Sequence, residues 1–179
     1  MESSEQALNE HKQDINAIDL TDLDSLTEKY LYPAYWGYIT ATSWNSASEI
    51  RPKNFIHFYM YNKFIKNSIS NWENYSVPAS EYENYICQYF NVDPLLLRQV
   101  EQYDKQKKVY SNFPNIGSLG CCKVVAAENQ DDKLFLYYEY YSRADDTTVI
   151  RTGTLIVRIS GDEYQYLSCK TKESGNSIF

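Results

Sequence analysis

The chain has 179 residues and a formal net charge of −7, which is enough length for one ordinary domain with one hydrophobic core. Aromatic residues make up 16% of the sequence, and this supply of large side chains excludes intrinsic disorder for most of its length. The negative charge argues against a nucleic-acid-binding protein, because neutralising phosphate groups requires a basic surface.

The acidic residues are concentrated at the N-terminus. Residues 1–29 carry eight acidic side chains and two lysines, so the rest of the chain is nearly neutral. Because this segment begins with very few apolar residues, we predict a flexible acidic leader over residues 1–20. The other predicted divisions are one α+β domain at 21–172, its helical part at 21–102, its sheet part at 103–172, and a C-terminal tail at 173–179.

The first half of the chain has the apolar spacing of helices. Pro33 removes a backbone donor, so we predict one helix before it and a second over residues 34–42. Pro52 fits the first turn of a helix that continues to about Asn67 and is apolar nearly all round, so this helix is expected to be central and buried. Two more helix starts are predicted at Val77-Pro78 and Asp93-Pro94.

After about Tyr103 the apolar residues alternate, which is typical of half-buried strands. The runs lie at 121–128, 133–142, 148–160 and 163–172. Short polar turns connect them, and such turns join antiparallel neighbours, because parallel strands need crossovers of roughly a dozen residues. The sequence therefore predicts an α+β fold in which N-terminal helices pack on a four-stranded antiparallel meander sheet, broadly like cystatin or NTF2-like folds.

Aromatic side chains supply the candidate contact residues. Alternation places Tyr137 and Tyr141 on the face of the second strand opposite Leu134 and Leu136, and that face is unusually aromatic for a solvated one. Exposed Trp and Tyr side chains can stack on sugars or anchor a protein interface, whereas core packing at helical spacing is the alternative. The predicted ligand or interface residues are Trp36, Trp44, Trp72, Tyr137 and Tyr141.

The sequence contains no catalytic signature. It lacks the G-x-S-x-G elbow, the G-x-G-x-x-G fingerprint, the P-loop and metal-binding cysteine spacing, so no cofactor or metal is predicted. The histidines are His11 and His57, and a hydrogen-bonded core histidine is the commoner interpretation of the second. The alternative to a binding domain is a ligand-binding or enzymatic pocket between helices and sheet, lined by Trp36, Trp44, Tyr138 or His57.

The cysteines offer one redox hypothesis. Cys122 shares a predicted strand face with Val124, and Cys169 shares one with Leu167, so the two thiols could meet across the sheet. A disulfide between them would require an oxidising compartment.

The order of several motifs resembles a known group of proteins. The stretches that carry the resemblance are Tyr35-Trp36-Gly37-Tyr38, Trp44, Glu49-Ile50, Val77-Pro78-Ala79-Ser80-Glu81, Tyr89-Phe90-Asn91-Val92, Leu97-Arg98, Tyr103-Asp104, Val109-Tyr110, Gly117 to Gly120, Val124-Val125 and Tyr166-Leu167-Ser168. They resemble uncharacterised lipoproteins and secreted proteins of clostridia and related Firmicutes over roughly residues 30–170. The resemblance implies a lipid-anchored, extracytoplasmic domain without assigned activity.

Together these observations predict a non-enzymatic domain of the cell envelope. Its expected partner is a protein or glycan of the envelope, not a nucleic acid, and membrane contact is expected only through a lipid anchor. The alternative location is the cytoplasm, with reduced cysteines.

Overall fold

The computed structural model describes residues 15, 17–115, 117, 120–145 and 147–174. It is an α+β structure in which a helical part is followed in the chain by the predicted four-stranded meander, as expected from the sequence. Ile15 is 2% exposed and belongs to the hydrophobic core, so the folded part begins before residue 21 and the predicted leader is too long. Residues 1–14 and 175–179 lie outside the described residues.

The helical part contains α-helices joined by tighter or wider turns. The α-helices are α1 (Leu23–Leu26), α2 (Tyr32–Trp36), α3 (Pro52–Met60), α4 (Ala79–Tyr89) and α5 (Pro94–Leu97). The π-helical turns are Thr27–Leu31 and Tyr61–Ile65, and the 3₁₀ turns are Ile39–Ala41, Ala47–Glu49 and Trp72–Asn74.

Pro33 does not separate two helices, contrary to the prediction. The π-helical turn Thr27–Leu31 connects α1 directly to α2, and Pro33 lies in the first turn of α2. A π turn widens the backbone, which relieves the clash between a proline ring and the carbonyl four residues earlier. The second predicted helix ends at Trp36 instead of continuing to residue 42.

The strands form two antiparallel sheets. The small sheet has the order β1-β3-β2, and the large sheet has the order β4-β5-β6-β7. Their bounds are β1 (Ser76–Pro78), β2 (Tyr103–Asp104), β3 (Val109–Ser111), β4 (Cys121–Gln130), β5 (Lys133–Tyr141), β6 (Val149–Ser160) and β7 (Glu163–Glu173). Every pairing in the large sheet contains a bulge, which leaves Val125, Ile150 and Leu167 without a partner in those pairings.

The predicted disulfide between Cys122 and Cys169 is wrong. The bulge at Leu167 places Cys169 on the same buried face as Tyr166, but β4 and β7 are opposite edges of the sheet. Three strand spacings correspond to about 14 Å, whereas disulfide-linked Cα atoms lie about 4.4–6.8 Å apart. All four cysteines are free thiols.

The helical part is attached to the edge strand β7. The backbone N–H of Trp44 donates to the Cys169 carbonyl at 2.9 Å, and the Cys169 N–H donates to the Trp44 carbonyl at 2.9 Å. Phe90, at the end of α4, forms a second bridge to Tyr166. Phe58 of α3 packs edge-to-face on both Phe90 and Tyr166, so the core between helices and sheet is largely aromatic.

Candidate functional site

The three tryptophans do not form an exposed patch. Trp44 is 1% exposed, and its Nε1–H donates to the Ile39 carbonyl at 2.8 Å. This position rules out the contact role that the sequence suggested for Trp44. Trp36 is half-buried and stacks on Tyr61 with 5.6 Å between ring centroids, and Trp72 is half-buried against the core.

The tyrosines of β5 lie on the predicted faces. Tyr137 and Tyr141 are partly exposed, and their hydroxyls donate to Glu128 and Glu139. The hydrogen bond to Glu139 raises the pKa of Tyr141 to about 12. Tyr138 is 1% exposed and its hydroxyl contacts Cys169 Sγ at 3.2 Å, so it packs in the core and is not exposed for binding.

Two adjoining cavities share Tyr38 and Ala41 as walls, and we call them together the Tyr38 site. The larger, of about 370 Å³, is also lined by Thr42, Arg51, Lys53, Asn54 and His57. The smaller, of about 200 Å³, is also lined by Tyr35, Gly120, Tyr140, Tyr141, Arg143, Ile150 and Arg151. The site therefore lies between the segment that follows α2, the start of α3, and the β5–β6 end of the sheet.

Tyr38 adopts a left-handed backbone conformation, with φ 56° and ψ 19°. This conformation is uncommon for a bulky residue and persists only where the surroundings hold it. The Tyr38 N–H donates to the Tyr35 carbonyl at 2.9 Å, and Asn54 Nδ2 donates to the Tyr38 carbonyl at 3.0 Å. At Gly37 an added Cβ would lie 2.9 Å from Phe58 Cβ, so the glycine allows α2 and α3 to approach closely at this turn.

Positive side chains surround the site. Arg51 and Lys53 are exposed on either side of Pro52, and Arg143 and Arg151 line the smaller cavity. Within the described residues Arg51, Lys53 and Arg143 form no salt bridge, whereas Arg151 pairs with Glu173 at 2.6 Å. Among the described residues, no Asp, Glu or Cys lines either cavity, so the side chains that line the site carry positive charge although the chain is acidic.

His57 is not the hydrogen-bonded core histidine that the sequence favoured. It is partly exposed, and its Nδ1 is buried without a hydrogen-bond partner among the described residues. The ring lies 5.1 Å from the Tyr38 ring. Burial first, and then the nearby charge of Lys53, lower the pKa of His57, so the imidazole is neutral at pH 7.

The comparisons with known proteins show the family of this chain. A family of unknown function, DUF6070, matches residues 54–178. The chain belongs to DUF6070. In this DUF6070 chain the matched region contains His57, Arg143 and Arg151, and it begins after Tyr38 and Arg51. No curated protein and no solved structure matched, and no helix in the described part of the chain is long and apolar enough to cross a membrane.

The structure brings together residues that the sequence assigned to different hypotheses. His57 came from the pocket hypothesis and Tyr141 from the contact-surface hypothesis, and both line the Tyr38 site. The site residues predicted from the sequence did not include Tyr38, Arg51 or Lys53. One signal was present, because Lys53 and His57 are four residues apart and therefore share one face of α3.

Proposed function

We propose that this DUF6070 chain is a non-catalytic binding domain of the cell envelope and that its ligand binds at the Tyr38 site. The proposal rests on the left-handed backbone conformation of Tyr38, a residue that lines both cavities. Asn54 stabilises this conformation by a hydrogen bond to the Tyr38 carbonyl. Residues with a strained backbone conformation occur preferentially at ligand-binding and active sites.

The shape and chemistry of the site favour a glycan or another small ligand over a flat protein interface. Concave sites suit small ligands, and tyrosine rings provide stacking surfaces with a polar hydroxyl for hydrogen bonds. Tyr38, Tyr140 and Tyr141 are all partly exposed, and the hydroxyls of Tyr140 and Tyr141 are hydrogen-bonded to Thr40 and Glu139. The Tyr38 ring lines both cavities and is therefore the main candidate for stacking.

The same lining supports binding over catalysis. General acid–base chemistry needs a titratable group whose pKa lies near the working pH, and hydrolysis mechanisms usually need a second group to orient it. His57 has no carboxylate or thiol beside it among the lining residues, and its imidazole lacks an orienting hydrogen bond at Nδ1. An enzymatic pocket of the NTF2-like kind is the second candidate; His57 and the cavity around it are the features that favour it.

The replacement Tyr38→Asn tests the site directly. Asparagine tolerates left-handed backbone, so the turn should persist while the aromatic ring is lost. In ¹⁵N NMR titrations with a panel of cell-envelope glycans and peptidoglycan fragments, we expect at least tenfold weaker binding by this variant.

Tyr137→Asn is the matched control, because Tyr137 is a partly exposed tyrosine of β5 that is not among the residues lining either cavity. It should bind like the wild-type protein. Loss of binding in Tyr137→Asn but not in Tyr38→Asn would place the ligand on the sheet face, and a panel without any bound member would contradict the proposal.

The proposal includes an extracytoplasmic, lipid-anchored location, which rests on the resemblance to clostridial lipoproteins. It also includes a cystatin-like or NTF2-like architecture, which rests on the sequence pattern. Fractionation of the native producing cells, with metabolic labelling by a fatty-acid analogue, should recover the full natural protein in the membrane fraction with label attached. Unlabelled protein confined to the cytosolic fraction would refute the location.

A further inference from the structure

We infer that the larger cavity of the Tyr38 site is an oxyanion subsite, in which Arg51, Lys53 and His57 bind a carboxylate or phosphate group of the ligand. The inference rests on the proposed function and specifies the chemistry of the ligand. It concerns only the cavity of about 370 Å³ beside the N-terminal turn of α3.

The first support is an unbalanced positive charge. Arg51 and Lys53 both line this cavity, and no Asp or Glu in the described part of the chain lines it. Within the described part of the chain neither of these two side chains has an acidic partner, so both charges are available to a ligand.

The second support is the state of His57. A neutral imidazole carries one N–H, and a buried donor without an acceptor is costly. Because Nδ1 is buried and has no partner among the described residues, the proton belongs on Nε2. His57 therefore offers one N–H donor to an oxygen acceptor in the cavity that it lines.

The third support is the hydrogen-bonded turn that carries Tyr38, which lines the same cavity as the two cations. Asn54 is buried, and its amide nitrogen donates to the Tyr38 carbonyl at 3.0 Å. This bond holds the Tyr38 ring 5.1 Å from the His57 ring. A sugar stacked on Tyr38 would then present an acidic substituent toward His57 and the two cations, which explains why aromatic and cationic groups share one cavity.

An anion in this cavity should change the titration of His57. Burial first, and then the charge of Lys53 on α3, lower the pKa of His57, while Arg51 and Tyr38 line the same cavity from the residue before α3 and from the preceding turn. Burial and the Lys53 charge disfavour the imidazolium, whereas a bound anion favours it. Anion binding should therefore raise the pKa of His57, and by linkage the affinity should increase as the pH falls through that pKa.

The experiment follows the imidazole resonances of the full chain by NMR between pH 4.5 and 8. His11 and His57 are the two histidines, so His11 is an internal control. The probes are inorganic phosphate, glucuronate and, as the neutral comparison, glucose. We expect phosphate, glucuronate or both to raise the pKa of His57 by at least about half a unit, with His11 and the glucose titration unchanged.

Variants test whether the shift comes from this cavity. Arg51→Gln and Lys53→Gln should each weaken anion binding at least threefold, and Lys66→Gln, which removes an exposed lysine outside the site, should not. A response to phosphate alone or to glucuronate alone supports the subsite and identifies the oxyanion that it prefers.

The inference would be overturned if neither anion changed the pKa of His57. It would also be overturned if Lys66→Gln weakened anion binding as much as Arg51→Gln and Lys53→Gln do. If neutral glycans still bind in a Tyr38-dependent manner, such a result refutes the oxyanion subsite and leaves the proposed binding function intact. If Tyr38→Asn has no effect on any ligand, the proposed function fails as well.

Discussion

Trp44→Ala is expected to lower the free energy of unfolding by about 3–5 kcal/mol, the usual cost of truncating a fully buried large aromatic side chain. The indole is 1% exposed, so its removal leaves a cavity in the core. The Nε1–H bond to the Ile39 carbonyl is lost too, which frees the 3₁₀ turn that follows Tyr38. Urea denaturation followed by circular dichroism measures the loss.

Two replacements separate these contributions. Trp44→Phe keeps most of the packing but removes the N–H donor, so we expect a smaller loss of stability together with NMR shift changes at Tyr38 and Ala41. Trp72→Ala truncates a half-buried indole, so it should lower the free energy of unfolding by less than half as much as Trp44→Ala. Equal costs for Trp44→Ala and Trp72→Ala would contradict the core position of Trp44.

Gly153→Ala is expected to lower the free energy of unfolding by about 3 kcal/mol, at the upper end of the range for overpacked cores. An added Cβ would lie 2.4 Å from both Cζ and Oη of Tyr138 and 2.6 Å from the Lys170 carbonyl oxygen. The Tyr138 ring covers its directly paired neighbour Gly153 across β5 and β6. Neither the Tyr138 ring nor the Lys170 carbonyl can move away without a large energetic cost, because the ring is buried and the carbonyl belongs to the sheet backbone.

Gly117→Ala is the matched control, since an added Cβ at Gly117 meets no atom within 4 Å and no positive φ is involved. Its free energy of unfolding should stay within about 0.5 kcal/mol of wild type. In a Tyr138→Leu background, Gly153→Ala should lower the free energy of unfolding by at most half as much as in the wild-type protein, because the phenol group is absent. Full additivity of the two changes would show that the clash with Tyr138 is not the cause.

The sequence predicted the fold class because its signals are local. Alternation and short polar turns predicted four neighbouring antiparallel strands, and β4 to β7 form that meander. Proline at the first helical turn predicted the starts of α3 and α5. One prediction failed at the π turn before Pro33. The predicted disulfide failed because β4 and β7 are opposite edges of the sheet.

The candidate site was less predictable, because its residues come from separate parts of the chain. His57 was recognised as a pocket residue and Tyr141 as a contact residue, but spacing could not show that they lie near the same tyrosine. The positive local charge was hidden in a chain whose net charge is −7. It arises because Arg51 and Lys53 line a site at which none of the described acidic residues contributes a lining side chain.

By itself, the sequence determined the α+β class, the meander and a large aromatic core, because periodicity and turn chemistry act between near neighbours. Only the tertiary structure decided which aromatic residues remain accessible. Trp44 and Tyr138 became core residues through contacts with Ile39 and Cys169, whereas Tyr38 stayed partly exposed because Asn54 holds its backbone in a left-handed turn. The contacts of Tyr138 with Cys169 and of Asn54 with Tyr38 join residues 31 and 16 positions apart, and local spacing carries no information about them.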